Sequence, residues 1–454
     1  MSGSGYAIGL AIATYEWIAA LILIVVAKYF LPVFIENKIF TMPQFLALRY
    51  DNRIKTILAV FWLMLFIFVN LSSILYLGAI TLKSVFGIGL IYGIAGLAIF
   101  SLLYTILNGL KAIASTDLIQ VFFLIVGGLV TTWLAVNKVG GDEGIFHGFR
   151  VMYEQLPEKF HMIIKNTDES FKYLPGWRAI FGGIWIAGIY YFGANQYIIQ
   201  KAFGAKSLRE AQKGMVFAGY LKLIIPFVVV IPGIAALALH ADITKPDEAY
   251  PWLLTHIVPP GIKGLIFAAL IAAIVSSFSA IINSASTIFT MDIYKSYFHK
   301  EANEKNLVSV GRMASVVASI LAVLVASSLG NLEQAFQFIQ EYTGMVSPGI
   351  TAIFVLGMFW KKTTSTGAFW GTLISIPVSA AIKFIFTGMP FLDQMLLSFF
   401  IIMIIIIAIS YYGKKDDEPK AIVLRKGIFS TGIAFNVMAA IIIIIFSAIY
   451  IIFW

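Results

Sequence analysis

The amino-acid sequence predicts an all-α polytopic membrane protein, and three observations lead to that fold class. Hydrophobic residues make up 60% of the 454 residues and charged residues only 12%, about half the charge of a typical soluble domain. The mean hydropathy is +0.91. The apolar runs are about 20 residues long and do not alternate with polar residues, which favours membrane helices over the strands of a β-barrel.

About twelve apolar runs are long enough to cross a bilayer. The chain begins with "MSGSGYAIG", which we interpret as a Gly/Ser turn that leads directly into the first helix. The segment 138–175 carries charges of both signs, and we expect it to lie outside the cytoplasm, on the membrane surface. The predicted spans are residues 6–34, 56–82, 88–108, 117–137, 176–200, 214–240, 263–293, 308–329, 334–360, 366–388, 391–411 and 428–452.

The distribution of basic residues predicts the orientation of these spans. Placing the amino terminus outside the cytoplasm puts about two thirds of the 32 Lys and Arg residues in cytoplasmic segments, as the positive-inside rule requires. An even number of spans then places both termini outside. The same bias accounts for the net charge of +9, so we expect the partner to be a lipid bilayer and not a nucleic acid.

The sequence offers little for catalysis. The chain has no cysteine, which excludes disulfides and thiolate chemistry. Its five histidines are scattered without the spacing of a metal site. We find no Ser/His/Asp set and no pair of catalytic carboxylates, so the sequence does not predict an enzyme.

Small residues are concentrated within three predicted spans. The segments are "GGIWIAGIYYFGANQ" (182–196), "VSSFSAIINSAST" (275–287) and "TGMVSPG" (343–349). Broken helices at membrane depth line the binding sites of transporters. Close helix–helix packing by Gly, Ala and Ser is the alternative interpretation of each segment.

A carboxylate and an ammonium group lie inside predicted spans. Glu16 is in "IATYEWIAALILIVV" and Lys222 is in "AGYLKLIIPFVVV". A central acidic residue costs roughly 2.5–3.5 kcal/mol to insert. Three interpretations are open: each side chain extends to an interface, the two form a salt bridge, or they line a cavity for a neutral polyol, whose hydroxyl groups would donate to Glu16 and accept from Lys222. Gln340, in "FQFIQEYTG", would add an amide to that cavity.

Two polar features lie on other spans. Ser276 and Ser277, in "AALIAAIVSSFSA", either bond back to the helix carbonyls one turn earlier or supply neutral oxygen ligands to Na⁺. Asp117, in "ASTDLIQVFF", lies where a span begins at the cytoplasmic side. We favour a structural role, in which Asp117 is a carboxylate stabilised by the dipole at the amino end of a helix that Ser115 or Thr116 caps, and attraction of cations at the inner mouth is the alternative.

The sequence as a whole resembles the solute:sodium symporter family, and within it the bacterial sodium/galactose symporters. The segments that carry the resemblance include "MSGSGYAIGLAIATYEW", "KTILAVFWLMLFIFVN", "NQYIIQ", "AAIVSSFSA", "STIFTMDIYK", "QAFQFIQEYTGMVSPGI" and "FWKKTTSTGAFWG". This resemblance implies a leucine-transporter-type fold built from two inverted five-helix repeats. It also implies a multi-pass protein of the bacterial inner membrane, with Na⁺ as the coupling ion.

The resemblance assigns roles to individual residues. Sugar contacts fall on Glu16, Asn70, Lys222 and Gln340; gating positions on Tyr191 at the inner side and on Phe66 and Phe336 at the outer side; sodium ligands on Ala273 (by its carbonyl), Ser276 and Ser277; and the inner ion exit path on Asp117.

The chain departs from the family pattern at four places. Ala19 replaces a serine, Gly188 an asparagine and Phe192 a tryptophan. The fourth departure is the start of the chain. We expect the whole chain to form a single transporter domain that contains about 12 of an expected 14 spans and lacks the first peripheral helix and the first broken core helix.

The expected function is sodium-coupled symport of a galactose- or glucose-like hexose by alternating access. The lost polar side chains indicate a sugar other than galactose or looser binding of it. Another polyol such as inositol, a neutral substrate of the wider family, is an alternative substrate. An inactive fragment lacking part of the sodium site is the other alternative.

Overall fold

The structure, a computed structural model, describes the chain except for residues 40, 108–109, 332–333 and 414–418, and except for the side chains of 107, 110–118, 200 and 331. In the described part, ten helices are long and apolar enough to cross a membrane. Two shorter apolar helices, Leu90–Ile106 and Gly183–Ala194, bring the described total to twelve. These twelve helices correspond one to one with the predicted spans, and the all-helical membrane fold class is confirmed.

The chain divides into two compact units, and the first consists of Met1–Ala13, Leu63–Met162 and Ile224–Ile339. Its longest helix, Leu110–Gly140, packs against Pro260–Thr287, which in turn packs against Glu304–Ser328. The helices and helical turns within this unit are Ser2–Ala7, Leu10–Ala13, Leu65–Leu71, Ser72–Phe86, Leu90–Leu107, Leu110–Gly140, Gly141–Glu143, Gly144–Gln155, Pro157–Phe160, Ile231–Ala238, Pro246–Glu248, Ala249–His256, Pro260–Thr287, Ile288–Phe298, Glu304–Ser328 and Leu329–Asn331.

The second unit consists of Thr14–Trp62, Ile163–Leu223 and Gln340–Trp454. Its most extensive contact is between Ser365–Ile385 and Phe391–Gly413. The helices within this unit are Thr14–Val25, Val26–Phe30, Leu31–Glu36, Met42–Arg49, Glu169–Lys172, Trp177–Phe181, Gly183–Ile189, Tyr190–Ala194, Gln196–Phe203, Ser365–Ile385, Phe391–Gly413 and Ile433–Ile452. Three further helices contribute residues to both units: Asn52–Met64, Leu208–Val229 and Ala335–Phe359.

The amino-terminal segment corrects one expectation. The residues interpreted as a Gly/Ser turn form the α-helix Ser2–Ala7. Close packing explains the glycines: a Cβ on Gly5 would lie 2.5 Å from the carbonyl oxygen of Val230, and one on Gly3 would lie 2.7 Å from that of Pro246. The missing side chains therefore permit backbone-to-backbone approach, in the way that small residues act at membrane helix interfaces.

Of the three small-residue segments, only 182–196 is interrupted. The helix ends at Phe181, resumes after Gly182, widens to a π-helix at Tyr190–Ala194 and stops again at Asn195, whose backbone is extended. A side chain at Gly183 would collide with the backbone of Leu392. The segments 275–287 and 343–349 lie inside the continuous helices Pro260–Thr287 and Ala335–Phe359, so neither of these two segments breaks its helix.

Candidate substrate and sodium sites

Glu16 and Lys222, which are 206 residues apart in sequence, form an ion pair in the second unit. The Lys222 ammonium donates to Glu16 Oε2 across 2.5 Å. The side chain of Glu16 is 14% exposed and that of Lys222 is 26% exposed, so neither is fully enclosed. Trp17 contributes to this arrangement, because its indole Nε1 donates to the carbonyl of Leu223, beside Lys222 (3.2 Å). The salt bridge left open by the sequence is therefore present.

Aromatic rings lie beside this ion pair. The Lys222 ammonium stands 5.7 Å from the centre of the Phe192 ring, a distance at which a cation and a ring attract each other. Tyr191 packs edge-on against Phe192, with 5.0 Å between ring centres, and its hydroxyl accepts a hydrogen bond from Tyr197 (2.8 Å). A carboxylate, an ammonium and flat apolar rings are the groups needed to bind the hydroxyls and the C–H face of a sugar.

Gln340 is connected to the segment that carries Glu16. Its side-chain amide interacts with the hydroxyl of Tyr15, the residue before Glu16. The structure thus places Glu16, Lys222 and Tyr191 together in one unit and joins Gln340 to the same short helix. Sequence reasoning missed the roles of Tyr15, Trp17 and Tyr197, although the pattern Tyr-Glu-Trp around the buried carboxylate was a visible signal.

Gly188 is explained by packing within the same unit. A side chain there would run into the Ile22 side chain, which stands on the helix Thr14–Val25. Ala19, on that helix, is 6% exposed. Two residues without polar side chains therefore lie at positions where the family pattern has polar ones. The obstructing atom at Gly188 is the flexible end of Ile22, so a modest rotation of that side chain would admit a larger residue.

The remaining predicted sugar and gate residues belong to the first unit. Phe66, fully buried, and Asn70, partly exposed, lie on the π-helical segment Leu65–Leu71. Such wide turns are rare and occur frequently at functional sites. Phe336 lies in the first turn of the helix Ala335–Phe359 and is partly exposed.

The predicted sodium ligands lie on the helix Pro260–Thr287. Ala273, Ser276 and Ser277 occupy about one turn of it, and this helix packs against Leu65–Leu71. Ser276 is 8% exposed and Ser277 is exposed. Neutral hydroxyl and carbonyl oxygens suit a hard monovalent cation. Among the described residues no cluster of His, Cys, Asp or Glu has the geometry of a metal site.

Asp117, predicted to act on the ion exit path, lies outside the residues whose side chains are described.

A cavity of about 720 Å³ opens in the second unit, but none of the predicted site residues lines it. Its charged lining residues are Asp168, Glu169, Lys172, Arg178 and Asp393.

A multi-pass helical protein with an ion pair at membrane depth, a broken span and π-helical turns at the predicted contacts has the features of a secondary transporter. The sequence matches the sodium:solute symporter family over residues 1–375. The chain therefore belongs to the sodium:solute symporter family, whose coupling ion is Na⁺.

Individual proteins support the same placement. The chain is 51% identical to a sodium/glucose cotransporter of Vibrio parahaemolyticus, over 100% of this chain and 87% of that protein. It is 33% identical to a sodium/myo-inositol cotransporter 2 of Oryctolagus cuniculus, over 83% of this chain and 60% of that protein. The solved structure of a Na⁺-coupled sialic acid symporter in a substrate-bound outward-open state superposes with a TM-score of 0.75 at 23% identity, covering 90% of this chain and 85% of that one. This likeness confirms the leucine-transporter-type fold.

Proposed function

We propose that this protein carries a neutral hexose, such as glucose or galactose, into the cell together with Na⁺. The observation that carries the proposal is the Glu16–Lys222 ion pair beside the Phe192 ring. Each member of the pair has hydrogen-bonding capacity beyond its partner, so sugar hydroxyls can insert between them. The 51% identity to a protein named as a sodium/glucose cotransporter supports the same substrate class. Transport without catalysis is part of this proposal.

The coupling follows from electrostatics. A neutral sugar gains nothing from the membrane voltage, whereas one Na⁺ moving inward gains about 2.3 kcal/mol per 100 mV, which is equivalent to an accumulation of roughly 50-fold. We assign the Na⁺ ligands to the Ala273 carbonyl and the hydroxyls of Ser276 and Ser277. Sodium binding would favour the outward-open state and raise sugar affinity, and sugar would raise sodium affinity to the same extent.

Other roles follow the family pattern. Asn70 and Gln340 would contact the sugar, and Tyr191 would close the inner side of the site. Phe66 and Phe336 would close the outer side. Asp117 would attract Na⁺ on its way to the cytoplasm. We place the protein in the inner (plasma) membrane as one transport domain, with both termini and the segment 138–175 outside the cytoplasm.

The first test separates a sugar site from a structural ion pair. Proteoliposomes containing the chain are assayed for uptake of labelled glucose, galactose and inositol, with and without an inward Na⁺ gradient. We expect sodium-dependent hexose uptake that Lys222→Ala abolishes. The matched control is Lys383→Ala, which breaks the Lys383–Glu341 ion pair of the same unit (2.6 Å) and should retain uptake.

A charge exchange sharpens this test. The double variant Glu16→Lys with Lys222→Glu restores an ion pair but inverts the donor and the acceptor that face the sugar. If the exchanged protein folds and transports normally, the pair is structural and the sugar assignment is wrong. Inositol uptake without hexose uptake would move the substrate to the alternative class, for which the named myo-inositol relatives are a precedent.

The sodium assignment has its own test. Ser277→Ala should raise the Na⁺ concentration for half-maximal uptake by about tenfold, since one neutral ligand is worth roughly 1.4 kcal/mol. Ser284→Ala, on the same helix, removes a hydroxyl that only bonds back to the Ala280 carbonyl (3.0 Å) and serves as the control. An unchanged sodium titration for Ser277→Ala would refute the assignment.

A further inference from the structure

A short turn of the first unit, Thr244–Glu248, is folded on itself by one carboxylate. Glu248 Oε2 accepts from the backbone N–H of Thr244 (3.0 Å), from the Thr244 hydroxyl (3.1 Å) and from the backbone N–H of Lys245 (3.3 Å). We call this turn the clasp. In the predicted orientation it lies outside the cytoplasm.

The clasp holds the start of the helix Ala335–Phe359. Asp247 Oδ2 accepts from the backbone N–H of Ala335, the first residue of that helix (2.8 Å). The Lys245 ammonium donates to the carbonyl of Gly330, which lies in the turn Leu329–Asn331 that precedes the helix. The first N–H groups of a helix have no partner within the helix, so Asp247 supplies from a distance of 88 residues the acceptor that a local capping residue normally provides.

The amino-terminal helix Ser2–Ala7 encloses the same junction. A Cβ on Gly3 would lie 2.7 Å from Asp247 Oδ1, so this helix packs directly on the clasp. The Ser4 hydroxyl donates to Gln334 Oε1 (3.3 Å). Ala335 is itself fully buried in an apolar cluster with Tyr76, Ile80 and Leu329. Polar contacts and packing therefore converge on a single helix start.

Phe336, the proposed outer gate, follows Ala335 directly. We infer that Asp247 is a positioning residue, which fixes the first turn of Ala335–Phe359 and thereby sets the direction of the Phe336 ring. The inference rests on the proposed function, because it gives Phe336 a gating role. Asp247 touches neither sugar nor ion in this scheme and acts only through the helix.

The absence of cysteine from the chain makes this measurable. Phe336→Cys provides a single thiol, whose rate of modification by a membrane-impermeant maleimide reports how well the first turn is held. Adding Asp247→Ala should raise that rate by about fivefold or more, the equivalent of about 1 kcal/mol for a lost helix cap. Asp247→Asn should leave the rate near that of the parent, because an amide oxygen still accepts from Ala335.

Two controls keep the interpretation specific. Asp242→Ala removes an exposed carboxylate five residues earlier in the same loop and should change nothing. Ala335→Pro removes the donor instead of the acceptor at a helix position where proline is tolerated. Its effect and that of Asp247→Ala should not add in the double variant, since both break one interaction. Should Asp247→Ala fail to fold, Ala335→Pro with Asp247→Asn tests the same bond.

Sugar uptake in the same vesicles, with Phe336 restored, gives the functional readout. Asp247→Ala should lower the maximal uptake rate several-fold while equilibrium sugar binding is retained, and Asp247→Asn should restore uptake. Labelling at residue 336 that is unaffected by Asp247→Ala, or affected equally by Asp247→Asn, would overturn the inference. Labelling does not require transport, so parent protein without sodium-dependent uptake would refute the proposed function while the labelling still decides the role of Asp247.

Discussion

The helix Ala335–Phe359 is held at both ends by charged side chains, but the two ends are built differently. At the amino-terminal end, Asp247 receives one backbone N–H. At the carboxyl-terminal end, Arg49 donates to the carbonyls of Gly357 (2.8 Å), Trp360 (3.4 Å) and Thr363 (2.9 Å). Negative charge at the amino end and positive charge at the carboxyl end both complement the helix dipole.

The difference lies in the number of contacts and in burial. Arg49 is 1% exposed, and its planar guanidinium presents several N–H donors in a fixed arrangement, so that it reaches three carbonyls at once. The next residue, Tyr50, adds a hydrogen bond from its hydroxyl to the Ile353 carbonyl (2.8 Å). The carboxyl end is therefore fixed by a network, whereas the amino end depends on a few separate contacts that can be released singly. The proposed outer gate, Phe336, lies at this amino end, where fewer contacts would have to be released for it to move.

The largest effect is expected at Arg49. Arg49→Ala should lower the free energy of unfolding by about 3 kcal/mol or more, because it removes the guanidinium that donates to the buried carbonyls of Gly357 and Thr363. Arg49→Lys should fall between this variant and the parent, since an ammonium cannot span the same carbonyls. Thermal unfolding in detergent measures both.

The control for Arg49 is its exposed neighbour Arg53. Arg53 pairs with Asp51 at the surface (2.7 Å), and its side chain is 63% exposed. Arg53→Ala should shift stability by less than about 1 kcal/mol, as for most surface ion pairs. Equal losses for Arg49→Ala and Arg53→Ala would contradict the view that the carboxyl end is a buried network.

A smaller effect is expected at Tyr50. Tyr50→Phe removes only the hydroxyl and leaves the backbone contact from the Lys420 ammonium to the Tyr50 carbonyl (2.6 Å). The expected loss is about 1 kcal/mol, the net value of one buried hydrogen bond. Tyr411→Phe, whose ring is 64% exposed, should melt with the parent protein. No change in Tyr50→Phe would show that Arg49 alone fixes this end.

The smallest expected effect is a difference between the two ends of the helix Ala335–Phe359 in how their contribution to stability depends on pH. Burial raises the pKa of Asp247 above 3.8, while the Ala335 N–H, the terminal amino group and Lys245 lower it and Glu248 raises it. The folded protein then binds this proton more tightly than the unfolded chain does. The stability that Asp247 contributes is therefore greatest below pH 3.8, the ordinary pKa of the group, and it falls as pH rises through the raised pKa of the folded protein. Arginine stays charged throughout, so the other end has no such dependence.

Asp247→Asn checks this sign. The variant has no carboxyl proton to lose, so its melting temperature should rise relative to that of the parent between about pH 4 and pH 7. A relative fall over the same range would mean that attraction to Ala335 and Lys245 outweighs burial. Asp242→Asn, in the same loop but exposed, should follow the parent protein at every pH.

Much of the fold was predictable because span length and hydropathy are local properties. All twelve predicted spans have helical counterparts, and the broken segment 182–196 is where small residues and Asn195 coincide. The prediction of a turn at the glycine-rich start was wrong, because glycine occurs both in turns and in helices that pack closely, and the sequence does not distinguish the two. Only the position of Pro246 and Val230 against Gly3 and Gly5 separates the two.

The site was predictable in kind but not in arrangement. The insertion cost of a carboxylate identified Glu16, and a salt bridge to Lys222 was one of three open interpretations, but no local pattern selected it before the structure placed the two groups 2.5 Å apart. The roles of Arg49 and Asp247 escaped sequence reasoning for the same reason. Their partners are backbone groups 308 and 88 residues away, which leave no trace in side-chain patterns.

The contact between Glu16 and Lys222 has a consequence for the strength of binding. In the proposed sugar site, an entering ligand would first have to separate two groups that already satisfy each other, and the free energy of that separation would be subtracted from its affinity. The two charges would neutralise each other again when the ligand leaves. Weaker binding would reduce the sensitivity of a receptor. It would help a transporter, because release of the ligand is a necessary step of every transport cycle.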